Sequence, residues 1–143
     1  MDCSDTLVKL GFCSQASRLK LLRCVVRDAA EMAGLDEQKI SEVVLAVNEA
    51  CMNVIQHAYR MKADGWIDLE IRMESGALVF RLRDYAARVD AEHCRSRALD
   101  DLRPGGLGIH LIRSVMDECG FVDLPQEASG NLFEMKKHTG NRS

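Results

Sequence analysis

The chain has 143 residues, of which 47% are hydrophobic and 29% are charged, and its formal net charge is -3. This length allows one domain with a buried core, so we expect a single domain over residues 1–143. The acidic balance argues against direct nucleic-acid binding, which usually goes with a basic excess. The longest apolar runs, such as Val43 to Val47, have about five residues, far fewer than the ~20 that span a bilayer, so no membrane contact is expected.

Cysteine and histidine usage indicates neither secretion nor a metal site. Residues 1–5 lack the basic start and apolar run of a signal peptide, so we expect a cytoplasmic protein. The six cysteines are scattered without a Cys-x-x-Cys pair, which favours reduced thiols. Cys24, Cys51 and Cys119 fall in apolar helical patterns and are predicted to be small buried side chains. The four histidines have no zinc-ligand spacing with the cysteines.

The first half of the chain has the apolar spacing of two helices. Residues 5–10 are compatible with a short first strand, and Ser14 is placed to cap the helix that follows. Apolar residues then recur at helical spacing as far as residue 33, where Gly34 ends the helix. Asp36 begins a second helix, whose apolar stripe runs from residue 40 to residue 55.

The apolar spacing changes from helical to alternating after Tyr59. Residues 67–73 and 78–82 alternate on either side of a turn over residues 74–76, which predicts an antiparallel hairpin. Residues 85–105 are charged and have no sustained period, as is typical of a functional loop.

A third helix and a closing pair of strands complete the predicted elements. The helix runs from about Leu107 to Cys119 and is ended by Gly120, and the strands cover residues 121–123 and 131–137. This order of elements predicts an α+β protein, a two-layer sandwich with helices on one face of an antiparallel sheet.

Polar residues with a spacing of four mark the second helix. Glu49, Asn53 and His57 form one polar stripe opposite the apolar face. A face in water is the general explanation for such a stripe. Here the small side chains of Ala46 and Ala50 surround the stripe, and long charged side chains are scarce, which favours the floor of a pocket.

A carboxylate and a glycine-rich segment follow along the chain. Period two places Asp84 on the same strand face as the apolar side chains at 78, 80 and 82, where it can accept a hydrogen bond from an exocyclic amine such as that of adenine. A solvent-facing Asp that starts a turn is the alternative. Residues 103–110 are rich in glycine and lead into a helix, whose N-terminal N–H groups suit a phosphate. They match neither a P-loop nor a dinucleotide fingerprint.

These three features in this order resemble the anti-sigma-factor serine/threonine kinases, which are partner-switching regulators among the Bergerat-fold (GHKL) ATPases. The segment Glu49-Ala50-Cys51-Met52-Asn53-Val54-Ile55-Gln56-His57-Ala58-Tyr59 resembles the N box of that family. The segment from Asp84 to Asp90 lies where the family has its first glycine box. The segments 105–117 and 130–137 resemble its second glycine box with the following helix and its closing strand.

The resemblance implies a Bergerat fold, with a mixed, mainly antiparallel sheet, and ATP and Mg²⁺ as ligands. It implies that Glu49 is the general base, that Asn53 holds Mg²⁺ and that Asp84 binds the adenine amine. Residues 91–104 would form a lid. His57 is more readily explained by a structural hydrogen bond than by catalysis, and Lys136 or Lys137 would either reach a phosphate or end a solvated strand. The full set implied to bind the nucleotide is Asn53, Asp84, Ala86, Arg103, Gly105, Gly106, Leu107 and Gly108.

The resemblance also implies a function and raises one doubt about it. The protein would phosphorylate a serine or threonine of a STAS-domain anti-anti-sigma antagonist and sequester a sigma factor or another effector, as a homodimer. However, Ala86 stands where the family has glycine, and a forced positive φ would cost an alanine about 1 kcal/mol or more. The alternative is therefore a non-catalytic binding module with weak or no nucleotide binding. Glu49 favours the kinase, because a pure binder has no need of that carboxylate. A detached histidine-kinase catalytic domain is disfavoured, since no segment resembles a phosphoacceptor helix.

Overall fold

The computed structural model describes residues 5–87 and 104–140, with residues 104–108 as backbone only. In chain order the elements are β1 (Thr6–Cys13), a 3-10 turn (Ala16–Arg18), α1 (Leu19–Met32), α2 (Glu37–Asn53), a π-helical turn (Val54–Ala58), β2 (Trp66–Glu74), β3 (Ala77–Asp84), α3 (Pro104–Val115), β4 (Glu118–Val122) and β5 (Asn131–His138).

The strands form one five-stranded sheet in the order β1-β2-β3-β5-β4. All four neighbouring pairs are antiparallel, so the sheet that we predicted to be mixed is antiparallel throughout its described strands. Helix α2 packs between α1 and α3 and contacts β3. The predicted α+β architecture is confirmed. Within the described residues, no helix is both long enough and apolar enough to cross a membrane.

The core lies between α2 and the inner face of the sheet. Side chains alternate between the two faces of a strand, so every second residue of β2 and β3 points to this face. In the register of the sheet, Ile71 lies opposite Phe80, and Phe80 lies opposite Met135. All three side chains are fully buried. Each such side chain contributes roughly 1.5–3 kcal/mol relative to exposure. Ala46 and Ala50 of α2 are buried in the same core.

The outer face of the sheet is charged, which explains why the fold has two layers and not three. One cross-strand row alternates in sign from Lys9 through Glu70 and Arg81 to Glu134. Lys9 Nζ lies 3.6 Å from a Glu70 oxygen, and Arg81 Nε lies 2.8 Å from a Glu134 oxygen. Such partly exposed pairs add little stability, but they make this face unsuited to cover by a helix.

The predicted boundary between α1 and α2 is confirmed. Gly34 has φ 83°, a left-handed conformation that glycine adopts without strain and that commonly ends a helix. Asp36 is the N-cap of α2, and its carboxylate accepts a hydrogen bond of 2.9 Å from the backbone N–H of Lys39.

The prediction that Ser14 caps α1 is wrong. Its hydroxyl donates to the carbonyl oxygen of Lys62 and accepts from the N–H of Gly65 at 3.0 Å. Residue Gln15 precedes the 3-10 turn and gives no side-chain cap. A partner about fifty residues away therefore takes the hydroxyl that local spacing had assigned to the helix.

The predicted end of the third helix is also wrong. Helix α3 begins at Pro104 and ends at Val115, and Gly120 lies inside β4 instead of ending the helix. The N–H of Asp117 donates to the carbonyl of Lys136, so pairing with β5 takes over directly after the helix. Of the cysteines predicted to be buried, Cys51 is buried, Cys119 is half-buried and Cys24 is exposed, because the apolar stripe of α1 faces the other way.

A buried lysine ties α2, α3 and β5 together. Lys137 is 7% exposed, although it was predicted to reach a phosphate or to end a solvated strand. Its ammonium donates to a Glu42 carboxylate oxygen at 2.9 Å and to the carbonyl oxygen of Val115, the last residue of α3. A cation at this end of a helix also interacts favourably with the helix dipole. Both predictions for Lys137 are therefore wrong.

The hydrogen bond and charge of Lys137 hold the pKa of Glu42 below its ordinary value. A lowered pKa means that the folded state releases the proton more readily than the unfolded state. The stabilisation is thus fully present above the unfolded pKa of about 4.3 and is lost as the pH falls through the lower folded pKa.

We expect Lys137→Met to lower the free energy of unfolding by about 2–3 kcal/mol at pH 7, since it leaves Glu42 and the Val115 carbonyl without their partner. The matched control is Lys136→Met, because Lys136 is a third exposed and approaches Glu134 only to 3.8 Å; its cost should stay below about 0.5 kcal/mol. Urea unfolding at pH 7 and pH 3 measures both. The prediction would be contradicted if both variants lost the same free energy of unfolding, or if the loss in Lys137→Met were as large at pH 3 as at pH 7.

Candidate functional site

Two polar side chains of α2 have no partner among the residues that the structure describes. Glu49 and Asn53 are both half-buried, and neither has a hydrogen bond or ion pair within the described residues. Other polar residues of the same helix are engaged: Glu42 binds Lys137, and Asn48 accepts a hydrogen bond of 2.9 Å from Arg23. The unpartnered pair is therefore available to a ligand.

His57 does not continue this stripe, so the predicted three-residue stripe is wrong at its end. Helix α2 gives way at Val54 to a π-helical turn, in which the N–H of Tyr59 donates to the carbonyl of Val54 at 2.9 Å. Such a turn takes one residue more than an α-helical turn, so a spacing of four no longer keeps residues on one face. His57 is exposed, and in the described part of the chain it makes no structural hydrogen bond.

Asp84 is a buried carboxylate at the end of the inner sheet face. It is 4% exposed and lies in register with Ile67 of β2 and Asn131 of β5. Oδ1 accepts two hydrogen bonds of 3.0 Å, one from the backbone N–H of Ala86 and one from the side-chain amide of Asn131. The first bond forms an Asx turn. A carboxylate has about four acceptor positions, so Asp84 keeps capacity for a ligand amine.

Burial raises the pKa of Asp84 above its ordinary value, and the hydrogen bonds from Asn131 and Ala86, together with the charge of Arg83, offset only part of that effect. The ionised side chain therefore costs folding energy at neutral pH. Buried carboxylates with raised pKa values are concentrated at functional sites.

Asn131 and Gly130 belong to this candidate site, although the sequence predicts only a strand that begins at Asn131. The Asn131 amide also donates to the carbonyl of Ala87 at 3.0 Å, so it holds both ends of the segment 84–87. Gly130 has φ 85°, and a Cβ there would lie 1.9 Å from the backbone oxygen of Asp84. A Gly-Asn pair at the start of a strand is the only local signal of this role.

Ala86 does not strain the backbone. The non-glycine residues with positive φ in the described part of the chain are Arg60 and Met61, so Ala86 has an ordinary negative φ. The backbone angle that would have penalised alanine in place of the family glycine is absent. The Ala86 N–H is engaged with Asp84, and its side chain is half-buried.

The glycine-rich segment opens α3 instead of preceding it. Pro104 begins the helix, which places Gly105, Gly106 and Leu107 in the first turn, and Gly108 follows them. The N–H groups of a first turn have no partner within the helix and favour an anion. Arg103 and the rest of the predicted lid, residues 91–103, lie outside the described residues, as do Cys3 and Cys94.

The elements that carry these residues are neighbours, because α2 contacts both α3 and β3. Among the described side chains no three His, Cys, Asp or Glu residues are grouped to hold a metal. The donors present, chiefly the Asn53 amide, suit a cation shared with ligand phosphates, as Mg²⁺ commonly is. The arrangement offers an acceptor for an amine, a polar helix face and a helix N-terminus for phosphate.

A sequence profile described as the histidine kinase-like ATPase domain matches residues 12–137. The chain belongs to this family. The antiparallel sheet of the described strands and the helices packed on it agree with the fold of the histidine kinase-like ATPase domain, and the predicted membership of the Bergerat-fold (GHKL) ATPases is confirmed.

Several relatives of this ATPase domain bear the same name. "Serine-protein kinase RsbW" of Bacillus subtilis (strain 168) is 26% identical over 133 residues, covering 87% of this chain and 81% of that protein. The protein of that name in Staphylococcus aureus (strain bovine RF122 / ET3-1) is 28% identical over 147 residues, covering 96% and 90%. The one in Staphylococcus epidermidis is 28% identical over 127 residues, covering 82% and 80%.

We expect Asp84→Asn to stabilise the protein at pH 7 by on the order of 1 kcal/mol, the size typical of single substitutions. The amide oxygen can keep the two hydrogen bonds on Oδ1, while the buried charge is removed. Because the folded pKa of Asp84 is raised, the wild type loses stability as the pH rises from about 3.9 through the folded pKa, so the two proteins should converge near pH 3. Urea unfolding across pH 3–8 checks this, and a variant less stable than wild type at pH 7 would contradict it.

Proposed function

We propose that this protein is an ATP-dependent serine/threonine kinase and anti-sigma factor that works by partner switching. It binds ATP with Mg²⁺, phosphorylates a STAS-domain antagonist and sequesters a sigma factor or another effector. We propose further that it acts in the cytoplasm as a homodimer. The family membership and the printed name of the relatives, serine-protein kinase, support the kinase activity.

The observation that carries the nucleotide site is the buried Asp84. Its ionised form costs stability, and no cation of the described structure compensates it by direct contact. A carboxylate retained under these conditions is explained by a ligand that donates a hydrogen bond to it. The exocyclic amine of adenine is such a donor. The two bonds to Oδ1 hold the carboxylate in a fixed orientation before the ligand arrives.

The polar pair of α2 serves the phosphate end of the ligand. In the proposed reaction the substrate hydroxyl oxygen attacks the γ-phosphorus, and Glu49 takes the hydroxyl proton. The bond from the γ-phosphorus to the β–γ bridging oxygen breaks, and ADP keeps that oxygen. Asn53 holds Mg²⁺, which supplies charge neutralisation on the phosphate oxygens when bound.

The first turn of α3 gives the phosphates a second contact. The N–H groups of Gly105 and Gly106 and the positive end of the helix dipole favour the triphosphate. The glycines let the backbone approach closely. Lys137 holds the C-terminal end of α3 in place. The phosphates are therefore bound by the N-terminus of α3 and not by Lys137.

We expect ADP with Mg²⁺ to bind the wild type saturably in calorimetric titration, and Asn53→Ala to weaken binding by about tenfold or more through loss of a ligand to the cation. Asn48→Ala is the matched control on the same helix, since Asn48 is paired with Arg23, and it should keep wild-type affinity. Asp84→Asn should also bind the nucleotide more weakly. The two groups that donate to Oδ1 require the oxygen of the new amide at that position, so its NH₂ group, which is a donor, faces the adenine amine, which is also a donor.

Absence of binding by the wild type at millimolar nucleotide would contradict the proposed nucleotide site. The protein would then be a Bergerat-fold module kept for binding a regulatory partner, the second function that the sequence allows. Equal losses of nucleotide affinity in Asn53→Ala and Asn48→Ala would contradict the proposal that Asn53 binds the cation.

We expect Glu49→Gln to bind ADP with wild-type affinity and to transfer phosphate at least about 10²-fold more slowly, the lower range for a lost general base. The assay follows the γ-phosphate of labelled ATP into a purified STAS-domain antagonist. The same antagonist with its acceptor serine changed to alanine is the substrate control. A Gln variant with wild-type turnover would exclude Glu49 as the base.

A further inference from the structure

One tyrosine hydroxyl connects the end of the N box with the residue that follows Asp84. The Tyr59 O–H donates to the carbonyl oxygen of Trp66 at 2.6 Å and accepts from the backbone N–H of Tyr85 at 2.8 Å. Trp66 begins β2, and Tyr85 follows the last residue of β3. A single oxygen atom therefore joins three separate segments.

The backbone on both sides of Tyr59 adopts uncommon conformations. The π-helical turn over 54–58 precedes it, and the two following residues, Arg60 and Met61, have φ 50° and 65°. These left-handed conformations are costly for side chains with a Cβ. The N–H of Met61 donates to the carbonyl of Ile55 at 2.8 Å, which closes the turn. Strain of this kind persists only where surrounding contacts enforce it, and it is concentrated at functional sites.

The ring of Tyr59 packs against the backbone of a glycine. A Cβ at Gly65 would lie 2.5 Å from the ring, so the ring packs directly on that backbone. Gly65 is fixed in turn by Ser14, whose N–H donates to the Gly65 carbonyl at 2.8 Å and whose hydroxyl accepts from the Gly65 N–H. The Tyr59 ring thus packs on Gly65, the residue before β2, and Gly65 is bonded to Ser14, the residue after β1.

Tyr85 is held separately through its side chain. Its hydroxyl donates to a carboxylate oxygen of Asp68 at 2.5 Å, and the Arg83 guanidinium lies 4.8 Å from its ring centroid. These contacts lie on the outer sheet face, opposite the candidate site. The backbone N–H of Tyr85 and its hydroxyl therefore have independent partners, which separate substitutions can remove.

We propose that Tyr59 is a positioning residue for Asp84: its hydroxyl fixes the backbone at Tyr85 and thereby orients the carboxylate toward adenine. This inference rests on the proposed nucleotide site. It couples the N box, which holds Mg²⁺ and the phosphates, to the adenine end of the same ligand through one hydroxyl oxygen. The Asn131 amide bonds the Asp84 carboxylate and the carbonyl of Ala87, and the Tyr85 side chain is bonded to Asp68. Neither contact involves the backbone N–H of Tyr85, the group next to Asp84 that the Tyr59 hydroxyl bonds.

The test compares Tyr59→Phe with Tyr85→Phe, each of which removes one tyrosine hydroxyl. We expect Tyr59→Phe to weaken ADP and adenosine by the same factor, about three- to tenfold, the size of one or two net hydrogen bonds. Equal factors locate the effect at the adenine end, because adenosine has no phosphates. Tyr85→Phe keeps its backbone N–H bond and should bind both ligands within about twofold of wild type. Titrations are run well below both melting temperatures, so that lowered stability alone does not change the affinity.

A second readout needs no nucleotide. The ¹³C-NMR titration midpoint of the Asp84 carboxyl should move toward its ordinary value in Tyr59→Phe, because the carboxylate gains access to water, and should stay unchanged in Tyr85→Phe. Wild-type affinity in Tyr59→Phe, or an equal loss in both variants, overturns the positioning role. If the wild type binds neither ligand, the proposed function fails, and an unchanged Asp84 midpoint in Tyr59→Phe overturns the positioning role separately.

Discussion

The antiparallel register of β3 with β5 is the constraint on which the rest of the structure depends. It aligns Asp84 with Asn131 at one end and Leu78 with Lys137 near the other. The first alignment builds the buried carboxylate site, and the second directs the ammonium of Lys137 to α2 and α3. Because side chains alternate between sheet faces, a slip of one residue would turn both Asn131 and Lys137 to the wrong face. The candidate site and the anchor of α3 therefore share one origin.

The two buried charges that this register creates have opposite energetic roles. Lys137 has two acceptors, and its partner Glu42 has a lowered pKa, so the pair stabilises the folded state. Asp84 has two neutral donors and a raised pKa, so its charge opposes folding. Lys137 and Glu42, which serve the fold, are thus paired with each other, while Asp84, Glu49 and Asn53 keep hydrogen-bonding capacity that the described residues do not use. This difference in unused hydrogen-bonding capacity distinguishes the residues of the site from those of the scaffold better than burial alone does.

Features set by neighbours in sequence were predictable, and those set by distant contacts were not. The Asp36 cap, the Gly34 stop and the alternation in β2 and β3 follow from local spacing, and period two also placed Asp84 on the inner face. Ser14 was assigned to the wrong partner, since the residues it binds are about fifty positions away. The Gly130-Asn131 pair indicates the start of a strand but not that Asn131 faces Asp84, because the pairing of β3 with β5 joins segments that are separated by residues 85–130.

At the end of the second helix, the regular spacing of polar residues gives no sign that the α-helix is interrupted. The pattern of four from Glu49 to His57 assumes a continuous α-helix, yet residues 54–58 form a π-helical turn. Such a turn is equivalent to one residue inserted into an α-helix. Deleting one residue there would restore the regular helix and rotate everything after it by about 100° around the helix axis. Tyr59 would then rotate away from Gly65, so the number of residues between Asn53 and Tyr59 is fixed by geometry.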